Sequence, residues 1–325
     1  MTAAEKTFDR IEVVSLPLKV RFRGLTHREI VLVKGKRWAE FSPFVEYPDQ
    51  EAASWLKATM EWAFGSLPEP KRIRVGINAT LPAISADRVQ HVLGKFGNFR
   101  TVKIKVAEKG QSSIEDLARI QKVSDLYPNV QIRLDANGAW GVAETIDFAR
   151  ALQEKKFNIE YLEQPVATIN ELCELREKFH NLDIDFAIAA DESIRKALDP
   201  LEVIRRNAAD VLILKVAPLG GIHSALKIAN ASNLGIVVSS ALESSIGIQA
   251  GLHFAASLES LEFDCGLGTS ALFESDIVDN PLLPENGFIE LRDVEPSEKL
   301  IQKLRVSDER REFWIKRLER VLALL

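Results

Sequence analysis

Three carboxylates and two lysines stand where this sequence could do chemistry. Asp135, Glu163 and Asp191 follow one another at intervals of 28 residues, and each ends a short apolar run, QIRLD, IEYLE and FAIAAD. Any one of them met alone reads as a turn residue or a helix N-cap. Their regular recurrence asks for more. Three carboxylates gathered at one place repel one another strongly unless a cation neutralises them. An all-oxygen set that leaves positions open favours Mg²⁺ or Mn²⁺ over zinc.

Lys105 closes the run TVKIK and Lys215 closes VLILK, one before the acid series and one after it. An ammonium in a buried strand is costly, so the pair calls for an explanation. The bland one is that both lysines snorkel to the rim or pair with nearby acids. The functional one is that a substrate held over the cation meets an amine on each face. That suits removal of a proton α to a carboxylate, with a metal stabilising the enediolate as it forms. The base must then be neutral. A free lysine of pKa about 10.4 is deprotonated about once in 2,500 at pH 7, a deficit of about 4.6 kcal/mol, so its pKa has to fall. Lys103, on the same strand face as Lys105, and the cation would both push it down. Lys103 reads equally well as a solvent-facing companion.

The elements that must position these residues follow from the spacing. A strand, loop, helix and loop together take about 25 to 30 residues, so each acid lies one such unit from the next. Strand ends fall at about 78, 105, 135, 163, 191, 215, 239 and 264. Eight parallel strands close a (β/α)₈ barrel, whose C-terminal strand ends share one mouth. IRVGIN, ending at Asn78, is the expected first strand. Before it, residues 8 to 41 alternate between apolar and polar, with Lys34, Gly35 and Lys36 as the turn between antiparallel strands. A helix is predicted over Asp49 to Phe64, with Trp55, Leu56, Met60 and Ala63 on one face and Gly65 as its C-terminal cap. Residues 66 to 70 read as a linker. After a turn-rich stretch between Asp279 and Pro284, GFIEL reads as one more short strand. A helix from about Ser307 then carries Trp314, Leu318, Val321 and Leu325 as its apolar stripe. Its mixed charges fit packing on the N-terminal sheet better than a membrane surface. The expected architecture is a (β/α)₈-type (modified TIM) barrel over 71–284, with an α+β capping domain built from 1–70 and 285–325.

With 325 residues, 46% of them hydrophobic, the chain can bury a large core. A formal charge of −5 argues against a nucleic-acid partner. Cys173 and Cys265 are too few for a disulfide framework or a thiolate metal site. No signal-like segment opens the sequence and no apolar run reaches membrane-spanning length. A cytoplasmic protein without a membrane partner is expected, acting on a small-molecule carboxylate as a monomer or weak homo-oligomer. His27, His91, His180, His223 and His253 lie off the strand ends and take no role, although His223 could contribute to a helix start.

Taken together, the KIK of the second strand, LDANGAW, YLEQP, AADES, ILKVAPLGG and CGLGTSALFES resemble the enolase superfamily in its muconate-lactonizing subgroup. RWAEFSPFVEYPDQEAASWL resembles the matching cap segment of the compact o-succinylbenzoate synthase family. The resemblance implies dehydration of 2-succinyl-6-hydroxy-2,4-cyclohexadiene-1-carboxylate to 2-succinylbenzoate in menaquinone biosynthesis. Carried over, it gives Asp135, Glu163 and Asp191 as Mg²⁺ ligands. Lys105 would take the proton and return it to the departing hydroxyl, and Lys215 would hold its charge over the ring. Ser239, Ser240 and Gly266 would approach the succinyl end, and Arg133 and Asn137 would orient ligands and base. Glu192 is expected to point away from the metal. Arg21 and Arg23 lie in the cap loop and read as substrate contacts or as surface residues. An N-acylamino acid racemase is the main rival, since two lysines on opposite faces can exchange an α-proton. A dipeptide epimerase lacks its DxD pair here, because Asp264-Cys265-Gly266 supplies one acid. A cycloisomerase and a barrel that binds without catalysing complete the alternatives.

Overall fold

A computed structural model of the protein describes residues 2–22 and 24–325, the side chain of Phe22 excepted. Arg23 therefore lies outside the described residues. The chain begins with an antiparallel sheet of β1 (Arg10–Phe22), β2 (Leu25–Lys34) and β3 (Trp38–Phe41), in the order β1-β2-β3. Val13 pairs with Val31, and Leu16, Ile30 and Leu32 are buried with them. Lys34 and Trp38 face each other across the expected turn.

The helix Asp49–Phe64 covers this sheet, burying Trp55, Leu56 and Ala63 while Met60 stays half-buried. Gly65 ends it differently from expectation. Its backbone is extended rather than left-handed, and its N–H reaches the Glu61 carbonyl. Glycine is needed for space, because a Cβ there would lie 2.6 Å from that oxygen. The helix Asp308–Leu322 packs on the sheet and on this helix through Trp314, Leu318 and Val321, with Ser307 capping its start. Leu325 falls beyond the helix and is exposed, so the stripe ends one step early.

The barrel strands are β5 (Ala79–Leu81), β6 (Thr101–Lys105), β7 (Gln131–Asp135), β8 (Ile159–Glu163), β9 (Ile188–Ala190), β10 (Val211–Leu214) and β11 (Gly235–Val238). They form a single sheet in chain order, each parallel to the next. The eighth position is reduced to two parallel bridges, Ser239 to Gly266 and Ile77 to Cys265, which close the ring. IRVGIN is not one strand. Its front half is β4 (Arg74–Gly76), which pairs antiparallel with β12 (Phe288–Glu290), and the barrel strand starts only at Ala79. The result is a modified (β/α)₈ barrel with an N-terminal capping sheet and helix.

Local signals set the helix starts. Ser112 with Glu115 and Thr168 with Glu171 form reciprocal capping boxes ahead of the helices Ser113–Leu126 and Ile169–Asn181. Inside the ring, Tyr161, Ala189, Val211, Ile213 and Val237 make a separate apolar cluster beneath the mouth. Two carboxylates fasten the cap sheet and helix to the barrel by way of helix N-termini. Glu40 accepts from the Ser244 and Gly247 N–H groups of Ser245–Ser257, and Glu61 from the Ile222 and His223 N–H groups of Ile222–Ala229. No described helix is long and apolar enough to cross a membrane.

Candidate active site

Strand register brings the acids and lysines together. Lys105 is directly opposite Asp135, and Asp135 opposite Glu163. Glu163 is opposite Ala189, so Asp191 stands two residues farther along the next strand. Side chains two apart share a face, which sends Lys103 and Lys105 to the same side. All three acids are buried, Glu163 completely.

Each acid has a cationic partner. Lys103 Nζ lies 3.0 Å from Glu163 Oε1 and 3.5 Å from Asp135 Oδ2, so one ammonium bridges two carboxylates. Lys105 Nζ is 3.4 Å from Asp135 Oδ1. Lys215 Nζ is 2.5 Å from Asp191 Oδ2, and Arg195 Nε is 3.1 Å from Asp191 Oδ1. Lys105 and Lys215 thus engage different acids, on opposite sides of Glu163.

Burial alone would raise the Asp135 carboxyl, but Lys105, Lys103 and Lys215 hold it well below the usual range. Burial is likewise outweighed at Asp191 by Lys215 and Arg195, and that carboxyl is lowered. Glu163 goes the other way. Burial pushes it up to about 7 against the pull of Lys103, and Asp135 and Asp191 add repulsion. Lys103 resists its own desolvation and stays charged because Glu163 and Asp135 flank it.

Among the described residues, no three acidic, histidine or cysteine side chains converge closely enough to hold a metal ion as they stand. Ammonium groups occupy the space between the carboxylates instead. The donors still fit a hard divalent cation: they are all oxygen and they come from neighbouring strands.

Above them opens a cavity of about 940 Å³, lined by Lys103, Lys105, Asp135, Asn137, Lys215, Ser239, Ser240 and Gly266, with Arg21 also on its wall. Ser240 Oγ bonds the Gly266 carbonyl at 3.1 Å and Thr269 Oγ1 at 2.6 Å. Gly266 has no room for a side chain, since a Cβ would sit 2.6 Å from Ser239 Oγ. Asn137 donates its backbone N–H to Asp135 Oδ1 at 3.1 Å and its amide to Glu192 Oε1 at 3.2 Å.

Two expectations need correction. Arg133 lies on the right face but one level too deep. It bonds Glu160, Asn78 Oδ1 and the Asp264 carbonyl, and its guanidinium stacks 4.9 Å from the Tyr161 ring centre. None of its hydrogen bonds reaches the three acids or the two lysines. Glu192 is not turned away on the far side of a strand, because the strand ends at Ala190 and Glu192 opens a short helix. It shares Arg195 with Asp191.

Sequence reasoning missed Arg195, Tyr47, Phe44, Trp55, Lys19 and Thr269, all on the cavity wall. Arg195 had a signal, since it stands four residues after Asp191, a spacing at which helical side chains meet. The histidines stay apart. His223 Nδ1 lies 2.7 Å from Glu61 Oε1, so the helix start it shares is capped by an acid from the capping region.

The Enolase C-terminal domain-like family model matches residues 85–296, and the Enolase N-terminal domain-like model matches residues 13–63. The chain is 48% identical over 322 residues to the o-succinylbenzoate synthase of Mycobacterium tuberculosis, spanning 99% of this chain and 96% of that one. It is 49% identical over 318 residues to the o-succinylbenzoate synthase of Mycobacterium leprae, spanning 98% and 92%. Among solved structures, muconate lactonizing enzyme from Pseudomonas fluorescens superposes with a TM-score of 0.77 at 21% identity, covering 91% of this chain and 98% of that one. N-succinyl Arg/Lys racemase from Bacillus cereus gives 0.76 at 21% identity, covering 91% and 97%. At such identity the solved structures speak for the fold alone.

Proposed function

We infer the reaction from membership: the chain belongs to the enolase superfamily and, within it, to the o-succinylbenzoate synthases. It is a hydro-lyase of menaquinone biosynthesis that converts 2-succinyl-6-hydroxy-2,4-cyclohexadiene-1-carboxylate to 2-succinylbenzoate and water. The racemase alternative is not favoured. Relatives at 47–49% identity carry the synthase name, whereas the likeness to an N-succinyl racemase is one of fold.

For the site, the observation that carries the reading is the pair of lysines on opposite sides of one group of buried carboxylates. Lys105, acting as its neutral amine, takes the proton α to the ring carboxylate. A C–H bond breaks, its electron pair forms a ring double bond, and the C–O bond to the hydroxyl breaks. Lys105 passes the proton to the departing oxygen, so water leaves and the ring becomes aromatic. Lys215, paired with Asp191 Oδ2, faces the negative ring from the other side. Asp135, Glu163 and Asp191 would hold Mg²⁺ or Mn²⁺, which when bound supplies positive charge to the substrate carboxylate as the proton leaves. Ser239, Ser240 and Gly266 form the wall proposed to meet the succinyl end. The two cysteines, both unpaired, fit a cytoplasmic setting.

The test is to mix purified protein with the cyclohexadiene substrate, with Mg²⁺ and then with chelator, and to follow the diene absorbance. Rapid loss that stops on chelation is expected. Retained absorbance beside measurable Mg²⁺ binding would overturn the dehydration, and deuterium exchange into N-succinylamino acids would then be measured.

A further inference from the structure

We propose that Arg195 is a positioning residue for Asp191, and that Tyr47 of the capping region holds it there. The proposal rests on the reading of Asp191 as a metal ligand and goes beyond it by naming what orients that ligand.

Asp191 has two oxygens with different partners. Oδ2 faces Lys215, whose ammonium stands on the cavity side. Oδ1 accepts from Arg195 Nε at 3.1 Å. The guanidinium also donates to Glu192 Oε1 at 2.5 Å, and Nη1 reaches the Tyr47 hydroxyl at 3.3 Å. Arg195 is thus held on three sides, and its side chain is only 7% exposed. Asp191 comes from the end of β9 and Tyr47 from the segment between β3 and the helix Asp49–Phe64, 148 residues before Arg195. One guanidinium therefore spans the seam between the capping region and the barrel and ends on a carboxylate of the site. Tyr47 is itself set by rings, 5.3 Å from Phe44 and 6.4 Å from Trp55 between centres.

A rigid planar fork suits this task better than a flexible ammonium. Committing Oδ1 to Arg195 leaves Oδ2 as the oxygen free to exchange Lys215 for another cation. A cap that failed to seat would remove Tyr47 from Arg195, so cap seating and ligand orientation are linked through one side chain.

Isothermal titration of Mg²⁺ or Mn²⁺ into the substrate-free protein tests this without reference to turnover. Arg195→Met should weaken metal binding about 10- to 100-fold, as removal of groups that orient metal ligands generally does. Arg195→Lys should recover part of that loss. Tyr47→Phe should weaken binding by about 5-fold, the worth of one hydrogen bond. The double variant Asp191→Asn with Arg195→Met should bind no more weakly than Asp191→Asn alone, because Arg195 acts through Asp191. Unchanged affinity in Arg195→Met, no recovery in Arg195→Lys, or full additivity in the double variant would overturn the proposal. Should Arg195→Met not fold, Arg195→Lys and Tyr47→Phe still decide it. Undiminished affinity in Asp191→Asn would instead sink the ligand assignment.

Discussion

Two groups of buried carboxylates, one at the barrel mouth and one at the seam under the cap, are satisfied in opposite ways. Asp135, Glu163 and Asp191 face cations: Lys103, Lys105, Lys215 and Arg195. Glu40, Glu243 and Asp276, at the seam under the cap, face backbone N–H groups and hydroxyls. Glu40 accepts from Ser42 and Ser244 Oγ and from two amides, and Asp276 from Ser245 and Ile277. Glu243 accepts from the Ala241 N–H. Arg28 acts on both Glu40 and Glu243, and Lys215 acts on Glu243 as well. A carboxylate held by a mobile ammonium can trade it for another cation. One held by a helix N-terminus can only keep it or let go. The first arrangement is suited to chemistry and the second to joining two parts of a molecule.

The comparison breaks most visibly at Lys105. Lys105→Ala should lower turnover by about 10²- to 10⁴-fold or more, the usual share of a general acid–base group. The fold should persist, because Lys103 still bridges Asp135 and Glu163, and Mg²⁺ binding should persist because all three carboxylates remain. Steady-state rates beside a metal titration check both parts. Normal turnover would remove Lys105 from the reaction.

The recurrence of Asp135, Glu163 and Asp191 was readable because a strand–helix unit has a nearly constant length. The helix Asp49–Phe64 was readable because Trp55, Leu56 and Ala63 repeat at helical spacing. What escaped was non-local. That residues 74–76 pair with 288–290 rather than starting the barrel depends on a partner more than 200 residues away, which no local pattern announces. The eighth strand is also overstated by its sequence, for Gly266 and Cys265 pair only through isolated bridges to Ser239 and Ile77. Tyr47 could not be joined to Arg195 without the fold. The depth of Arg133 was within reach, since two residues along a strand means the same face but about 6 to 7 Å lower.

A middle-sized effect should set Glu40 apart by pH from Asp135 and Asp191, whose carboxyls are lowered. Burial pushes Glu40 up to about 7 from its ordinary 4.5, with Glu243 adding repulsion while Ser244, Ser42 and Arg28 oppose. The folded protein therefore binds a proton at Glu40 that the unfolded chain has released. Stability from this group is full below about pH 4.5 and is lost as pH rises through 7. Glu40→Gln removes that loss. Denaturant unfolding from pH 5 to 8 should show the difference in stability between variant and parent moving by about 2 to 3 kcal/mol in favour of the variant. Parallel pH profiles for the two proteins would mean that Glu40 stays ionised at the helix N-terminus throughout.

The smallest effect sharpens the comparison best, because it makes the same chemical change in both places. Asp191→Asn removes a charge that Lys215 and Arg195 both face, and it should cost metal affinity. Asp276→Asn removes a charge with no cationic partner among the described residues, at a site where Ser245 Oγ donates at 2.7 Å and also accepts from the Leu282 N–H. The new amide can keep its oxygen on the Ile277 N–H and the Ser245 N–H, now at the 3.3 Å contact alone, and turn its NH₂ toward the Ser245 hydroxyl, which has a second lone pair. Two hydrogen bonds to Oδ2, from the Ser245 hydroxyl and backbone N–H, are lost and one is made, while burial no longer penalises a charge that it had raised in pKa. The expected cost is about 1 to 2 kcal/mol in denaturant unfolding, with metal affinity and turnover unchanged. A loss of metal affinity in Asp276→Asn equal to that of Asp191→Asn would show that the seam and the mouth act as one unit, and the division between the two groups of carboxylates would fail.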